Sequence, residues 1–297
     1  MTHIASYTKT ENASTTTSTL TLSSGVSSGH TLMAAVCWEA SAGTLPTISS
    51  VVDSRGNTWT TTPDVSALAG TTLAVAILRA RVTTALLTGD TITITLSASR
   101  SRWAWQVDDF DDVNTSPKDQ TASNSPGSSA SLSSGTTTAT AQAYELLYAV
   151  YGFGTGRTVT IPAGWSGGAQ VATSAGSTDR AMQAVWKYAN ATGTQQSTLT
   201  LSSASTYAGG IVTDKATSLT PPTANVSQVK VIVPQPVVPP VAHVSQVKVI
   251  VPQAVIGDVH ISQVKVRVPT KAGQAPYSGM KFLNASGKFI DGAISSL

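Results

Sequence analysis

Leu32-Met-Ala-Ala-Val-Cys-Trp38 and Leu146-Leu-Tyr-Ala-Val-Tyr-Gly152 are the stretches that decide the fold. Each is a seven-residue apolar run closed off by turn-forming residues, with no 3.6-residue period and no caps. A run this short, bounded this way, reads as a buried β-strand rather than a helix. The likeness extends outward in the same order. Ala76-Ile-Leu-Arg-Ala80 parallels Ala184-Val-Trp-Lys-Tyr188, and Ile94-Thr-Leu-Ser-Ala98 parallels Leu199-Thr-Leu-Ser-Ser203. An internal duplication of a half-sandwich explains that order; convergent β composition is the alternative. The expected fold is all-β: a jelly-roll-like β-sandwich built from two similar halves, about 1–113 and 140–217, followed by an extended arm of short β-strand repeats. Asn114–Thr140, dense in Ser, Thr, Gly and Pro, reads as a long surface connection.

Composition agrees with sheet. Charged residues are 11 % of the chain, against about 25 % in ordinary soluble domains. Ser and Thr exceed a quarter of the residues, and Thr, being β-branched, favours strands. Cys37, the only cysteine, excludes an intrachain disulfide and reads as a small core residue. Met1–Asn12 is polar, without the apolar stretch of a signal peptide. No run approaches 18 uninterrupted apolar residues, which predicts no membrane insertion.

The arm begins after Thr217–Asn225 (TSLTPPTAN), where two prolines stop helix and central strand alike. It holds three near-copies of one phrase: Val226–Gln235 and Val244–Gln253 (both VSQVKVIVPQ) and Ile261–Thr270 (ISQVKVRVPT). Each is a period-two strand pattern ended by proline. The alternating valines (Val229, Val231, Val233; Val247, Val249, Val251; Val264, Val266, Val268) are the candidate assembly residues. Isolated strands of this length leave backbone N–H and C=O groups unpaired, so they gain by adding to sheet edges of neighbouring subunits. From Thr220 onward the chain carries +5, and the remainder −2. The lysines are spaced singly, with no aromatic interleaving, which predicts no nucleic-acid partner. A hairpin is expected over 272–297.

Candidate sites are few. Asp53-Ser-Arg-Gly-Asn57 reads as a tight turn in which Asp53 bonds its own backbone. Asp108, Asp109, Asp111 and Asp112 read as a solvated strand end before a turn at Val113–Pro117; a Ca²⁺ site or an acid/base pair is the alternative. Of the six tryptophans, Trp38 and Trp186 are expected in the core. Trp59 and Trp103, with Asp53 and Asn57, are the candidates for glycan binding, an aromatic face with polar neighbours. No nucleophile elbow, Walker loop, H-E-x-x-H or C-x-x-C occurs, and the histidines His3, His30, His243 and His260 suggest no triad. The expectation is a protein that is not an enzyme, with no catalytic residue, no metal site and no cofactor.

Three phrases carry a family resemblance: Ser28-Gly-His-Thr-Leu32, Val51-Val-Asp-Ser-Arg-Gly-Asn-Thr-Trp-Thr60 and Gln106–Pro117. In this order they resemble a Ser/Thr-rich β-sandwich family of phage structural proteins and bacterial surface proteins, over about 15–215. The VSQVKVIV phrase and Met280–Gly292 are similar to the ends of tailed-phage minor tail proteins, with Phe282 and Phe289 where Trp is more usual. The resemblance implies a structural virion protein, tail-associated, synthesised in the host cytoplasm without a signal peptide. Its partners would be other virion proteins and copies of itself, a trimer foremost. The alternatives are a host cell-surface glycan-binding module and a capsid decoration or fibre protein.

Overall fold

The computed structural model describes residues 1–39, 46–174 and 179–217, and beyond them only the backbone of 281–283 and 289–291. The three repeat phrases, with Val229 through Val268, lie outside the described residues. Among the described residues every regular element is a strand, and all pairings are antiparallel.

The first half contains β1 (His3–Glu11), β2 (Thr15–Thr21), β3 (Thr31–Glu39), β4 (Ile48–Asp53), β5 (Val65–Ala69), β6 (Leu73–Arg81), β7 (Thr91–Arg100) and β8 (Trp103–Phe110). A five-stranded sheet, β1-β8-β3-β6-β5, faces a three-stranded sheet, β2-β7-β4. This is jelly-roll order, with β5 paired to β6 on the larger sheet. The small sheet has one wet face, so β7 alternates: Ile92, Ile94 and Leu96 are buried and the threonines between them are not. They meet Leu32, Val36, Trp38, Trp103 and Trp105 of the large sheet in one core.

The second half repeats the plan with longer strands: β9 (Val113–Ser133), β10 (Tyr144–Gly154), β11 (Val159–Thr160), β12 (Ser166–Gly167), β13 (Val171–Ala172), β14 (Arg180–Asn190) and β15 (Thr198–Ala216). β10 lies between β15 and β14 as β3 lies between β8 and β6. β15 does the work of both β7 and β8. Its first part pairs the end of β9 (Thr198↔Ser133), and its second part pairs the start of β9 (Ile211↔Ala122, Ala216↔Val113). β11 sits on β15 as β4 sits on β7, and β12 and β13 border β14 as β5 borders β6. A second internal core gathers Leu147, Tyr151, Phe153, Val185, Leu199 and Ile211.

Each half is therefore a two-layered sandwich in itself, not half of one. The two large sheets then pack face to face around a third core containing Met33, Cys37, Val75, Tyr148, Met182 and Val212. Four layers result, with the middle two buried on both faces. This is why β3, β6, β8 and β10 are buried at nearly every position, and why β3 and β10 read as long apolar runs. Cys37 sits in that middle layer, fully buried, and burial pushes its thiol up to about 12.

Two expectations need correction, and one strand is additional to them. His3–Glu11, within the polar Met1–Asn12 stretch, forms edge strand β1, paired to β8 from His3↔Phe110 to Glu11↔Trp103. Asn114–Thr140 is not a surface connection: β9 runs through Ser133, and no turn intervenes at Val113–Pro117. The matched apolar runs are also one residue out of step. Leu32 belongs to its half's own core, and its counterpart there is Leu147; Leu146 faces the middle layer. A slip of one in a strand exchanges its two faces.

The chain divides into a unit over Met1–Leu219 and another over Thr220–Leu297. The second contains a hairpin of β16 (Lys281–Leu283) and β17 (Phe289–Asp291), with Phe282 opposite Ile290.

Candidate functional site

The Asp53–Asn57 stretch is the turn after β4. Asp53 Oδ1 accepts from the backbone N–H of Arg55 (2.9 Å) and Asn57 (3.2 Å), and Gly56 takes a positive φ of 75°. Asp53 Oδ2 accepts from Trp59 Nε1 at 2.9 Å. Asn57 in turn ties down the loop after β6, its Oδ1 accepting from the N–H of Thr83 and Thr84 and its Nδ2 donating to the Thr84 carbonyl. The fold brings three of the four glycan candidates together, but as a buried bracket: Trp59 is 5 % exposed. Trp103, 0 % exposed, lies on β8 in the same core and donates to the Arg100 carbonyl. Trp103 has no open face to stack on a sugar, and Trp59 keeps only 5 % of its surface with its Nε1 committed to Asp53, so both are core residues rather than an exposed platform. Trp38 and Trp186 are buried as expected, and Trp165 is the most accessible of the six.

The acidic run divides: Asp111 and Asp112 lie in the bend after β8, Asp112 71 % exposed as a solvated strand end should be, but the two acids within the strand are not solvated. Asp108 and Asp109 are fully buried on opposite faces of β8. Asp109 faces His30 Nδ1 at 2.9 Å, and burial raises its carboxyl above the usual range against the pull of that histidine. Asp108 enters the layer between the halves. It accepts from Tyr148 (2.6 Å), Gln106 (2.8 Å) and Ser6, with His3 Nε2 at 3.2 Å. Burial and the Asp108 charge hold the Tyr148 hydroxyl well above its ordinary value. His3 stacks on Trp186 at 4.1 Å, and Phe110 meets the edges of Tyr148 and Trp186.

Ser6, His3 and Asp108 are the three residue types of a nucleophilic triad, but the geometry is different. A relay puts the imidazole between hydroxyl and carboxylate, one ring nitrogen to each. Here His3 Nε2 lies near both, at 3.0 Å from Ser6 Oγ, and Ser6 donates directly to Asp108. The hydroxyl is spent on the carboxylate. What the cluster does is stitch β1 and β8 to β10 across the layer.

A second stitch joins the halves at another point. Arg79 on β6 donates to Asp64 (2.6 Å) and to Asp214 on β15 (2.7 Å), and Lys118 on β9 reaches Asp64 at 3.3 Å. Asp214 is fully buried, and burial pushes it up to about 6 despite Arg79. Nearby, burial pushes Glu145 up to about 7, with Asp119 adding to the rise. Neither cluster was legible beforehand, because its members lie as far as 135 residues apart.

These raised carboxyls give stability a definite pH slope. Their folded-state values, about 6 and 7, exceed the ordinary values near 4, so the folded chain holds extra protons in between. The contribution is complete below about pH 4 and is lost as pH rises through 6 to 7. On the order of 3 kcal/mol should be gained between pH 8 and pH 5. The melting temperature should rise by roughly 6–12 °C over that interval. Calorimetry at both pH values tests this, and Glu145→Gln should flatten the slope; an unchanged slope in that variant would rule out the assignment.

Among the described residues no group of three or more His, Cys, Asp or Glu could hold a metal ion, and no helix is long and apolar enough to cross a membrane. Shallow cavities open between described residues. One, about 270 Å³, has Trp59, Arg81 and Asn114 on its walls; another, about 360 Å³, is lined by Thr72, Arg157, Arg180 and Ser205 among others. Compared with known proteins, the chain matches no family model, no curated protein and no solved structure.

Proposed function

We propose that this chain is a non-enzymatic structural subunit of a tailed-phage particle, tail-associated, which displays the four-layered sandwich and attaches through its repeat strands. The observation that carries the reading is the threefold phrase VSQVKVIVPQ, VSQVKVIVPQ, ISQVKVRVPT following a compact duplicated sandwich. Three copies of one strand pattern at a pitch of 18 and then 17 residues suit three equivalent edges of a symmetric partner. Each contact would be modest, and their linkage would make the attachment firm. The inner clusters support the same reading, since the histidines, carboxylates and tyrosine with chemical potential are spent on holding layers together.

Deleting 226–270 tests the proposal. In sedimentation, the full chain should run as an oligomer, a trimer foremost, or co-sediment with particles. The deletion variant should be a monomer with the melting temperature of the sandwich unchanged. A full chain that is monomeric and does not bind particles would sink the proposal.

A further inference from the structure

We propose that the 360 Å³ cavity at the end of β10 binds an anionic sugar, one carrying a carboxylate or phosphate on a hydroxylated ring. The cavity lies where the two halves meet: Thr72 comes from the β5–β6 turn, Leu73 from the start of β6, and Gly154, Arg157, Arg180 and Ser205 from the second half. Its volume is within the range of small-molecule sites.

Arg157 is the reason to assign an anion. Its guanidinium is seated by backbone carbonyls: Nε and Nη2 donate to Ala204 O at 3.1 and 2.9 Å, and Nη1 donates to Gly154 O and Thr155 O at 3.1 and 2.8 Å. Carbonyls fix the plane of the group without cancelling its charge. Among the described residues no carboxylate lies within ion-pair distance of Arg157. The seat is built into the backbone. A Cβ at Gly154 would stand 3.1 Å from Arg157 Nη1, and Gly156 turns the chain with a φ of 76°. Arg180, on the same wall, donates to the Thr72 carbonyl at 3.3 and 3.0 Å and to the Asp179 carbonyl at 3.1 Å.

The rest of the wall sets the ligand class. Asp179 also lines the cavity, but Arg102 Nε lies 3.5 Å from its carboxylate. Thr155, Ser205 and Thr206 add hydroxyls. Arg157 keeps its full charge and one undonated Nη2 N–H for an oxyanion, and the short hydroxyls beside it match a polyol body. A bare inorganic ion would leave most of the cavity to water. The proposal holds or fails apart from the virion reading, since it concerns only residues of the sandwich.

The test is titration calorimetry of the full chain at low salt with glucuronate, glucose 6-phosphate, inorganic phosphate and glucose. Glucuronate or glucose 6-phosphate should bind saturably, at least tenfold more tightly than glucose or inorganic phosphate. Arg157→Met should weaken that binding about tenfold or more. Thr155→Glu removes none of the bonds that seat Arg157, places a carboxylate beside it, and should abolish binding with the fold intact. Raising the salt to 0.3 M should weaken binding severalfold. No saturable binding by either anionic sugar, equal binding of glucose or of inorganic phosphate, or full binding by Thr155→Glu would overturn the proposal.

Discussion

Arg79→Met should cost about 3–5 kcal/mol of folding stability, more than any other single charge removal in the sandwich. Arg79 is 7 % exposed and holds two carboxylates, Asp64 at 2.6 Å and Asp214 at 2.7 Å. Together with Lys118 they form a cluster of two cations and two anions, balanced as it stands. Removing the cation leaves Asp214 fully buried with no ion-pair partner among the described residues and Asp64 with only the half-exposed Lys118. The penalty is the uncompensated buried charge rather than the worth of the bond itself. Urea unfolding measures it. Arg79→Met/Asp214→Asn should recover part of the loss, because it takes away the stranded charge. Arg79→Lys should fall between, since one ammonium cannot serve two carboxylates as the planar fork does. A single variant within about 0.5 kcal/mol of the parent would show that the cluster does not bind the halves.

Gly152→Val should lower stability by about 3 kcal/mol, at the upper end of overpacking costs. Gly152 has no positive φ, so its backbone accepts any residue, and a Cβ there should even gain about 0.5–1 kcal/mol from reduced chain entropy. Space decides the sign. A Cβ at this position would lie 2.6 Å from Val75 Cγ1 and 2.8 Å from Cys37 Sγ, both on the facing sheet. Val75 is β-branched and cannot swing aside cheaply. Gly210 stands in the same relation to Val65, at 2.2 Å. The rescue is specific: Val75→Ala should restore much of what Gly152→Val loses, and Val65→Ala should not. Thermal unfolding of the single and double variants distinguishes the two outcomes.

The elements legible in the sequence are those whose environment is written in their own residues. β3 and β10 are apolar over most of their length because sheets cover both faces, and the Asp53–Asn57 turn closes on its own backbone. β1 and β9 were hidden because they are edge strands with wet faces. Their Ser, Thr and Lys residues leave no apolar stripe, and β9 is a strand only because β15 supplies the ladder. The one-residue slip between the halves has an equally local cause. Leu146 and Leu147 are the same residue type, so nothing in the run says which of them enters its own half's core. The buried carboxylates were illegible for a different reason. Asp108 looks like a surface acid until Tyr148, 40 residues on, donates to it. Asp109 needs His30, 79 residues back. A carboxylate is cheap to bury only with partners in place, and partners of that sequence separation belong to the tertiary fold. The glycan candidates failed by the same rule, since Asp53 beside Trp59 signals a hydrogen bond within the core as readily as a sugar platform.

The middle layer has a consequence for how this chain can be divided. Phe110 ends the last strand of the first half and Val113 begins the first strand of the second, so two residues separate the repeats. The boundary looks like a place to cut. Yet each large sheet carries its second apolar face only because the other covers it, and Met33, Val75, Tyr148 and Val212 would all meet water after a cut. Such a face, rimmed by the stranded carboxylates of Asp108 and Asp214, is adhesive and charged at once. The halves are repeats in topology but not modules. What folds, melts and can be transplanted is the pair.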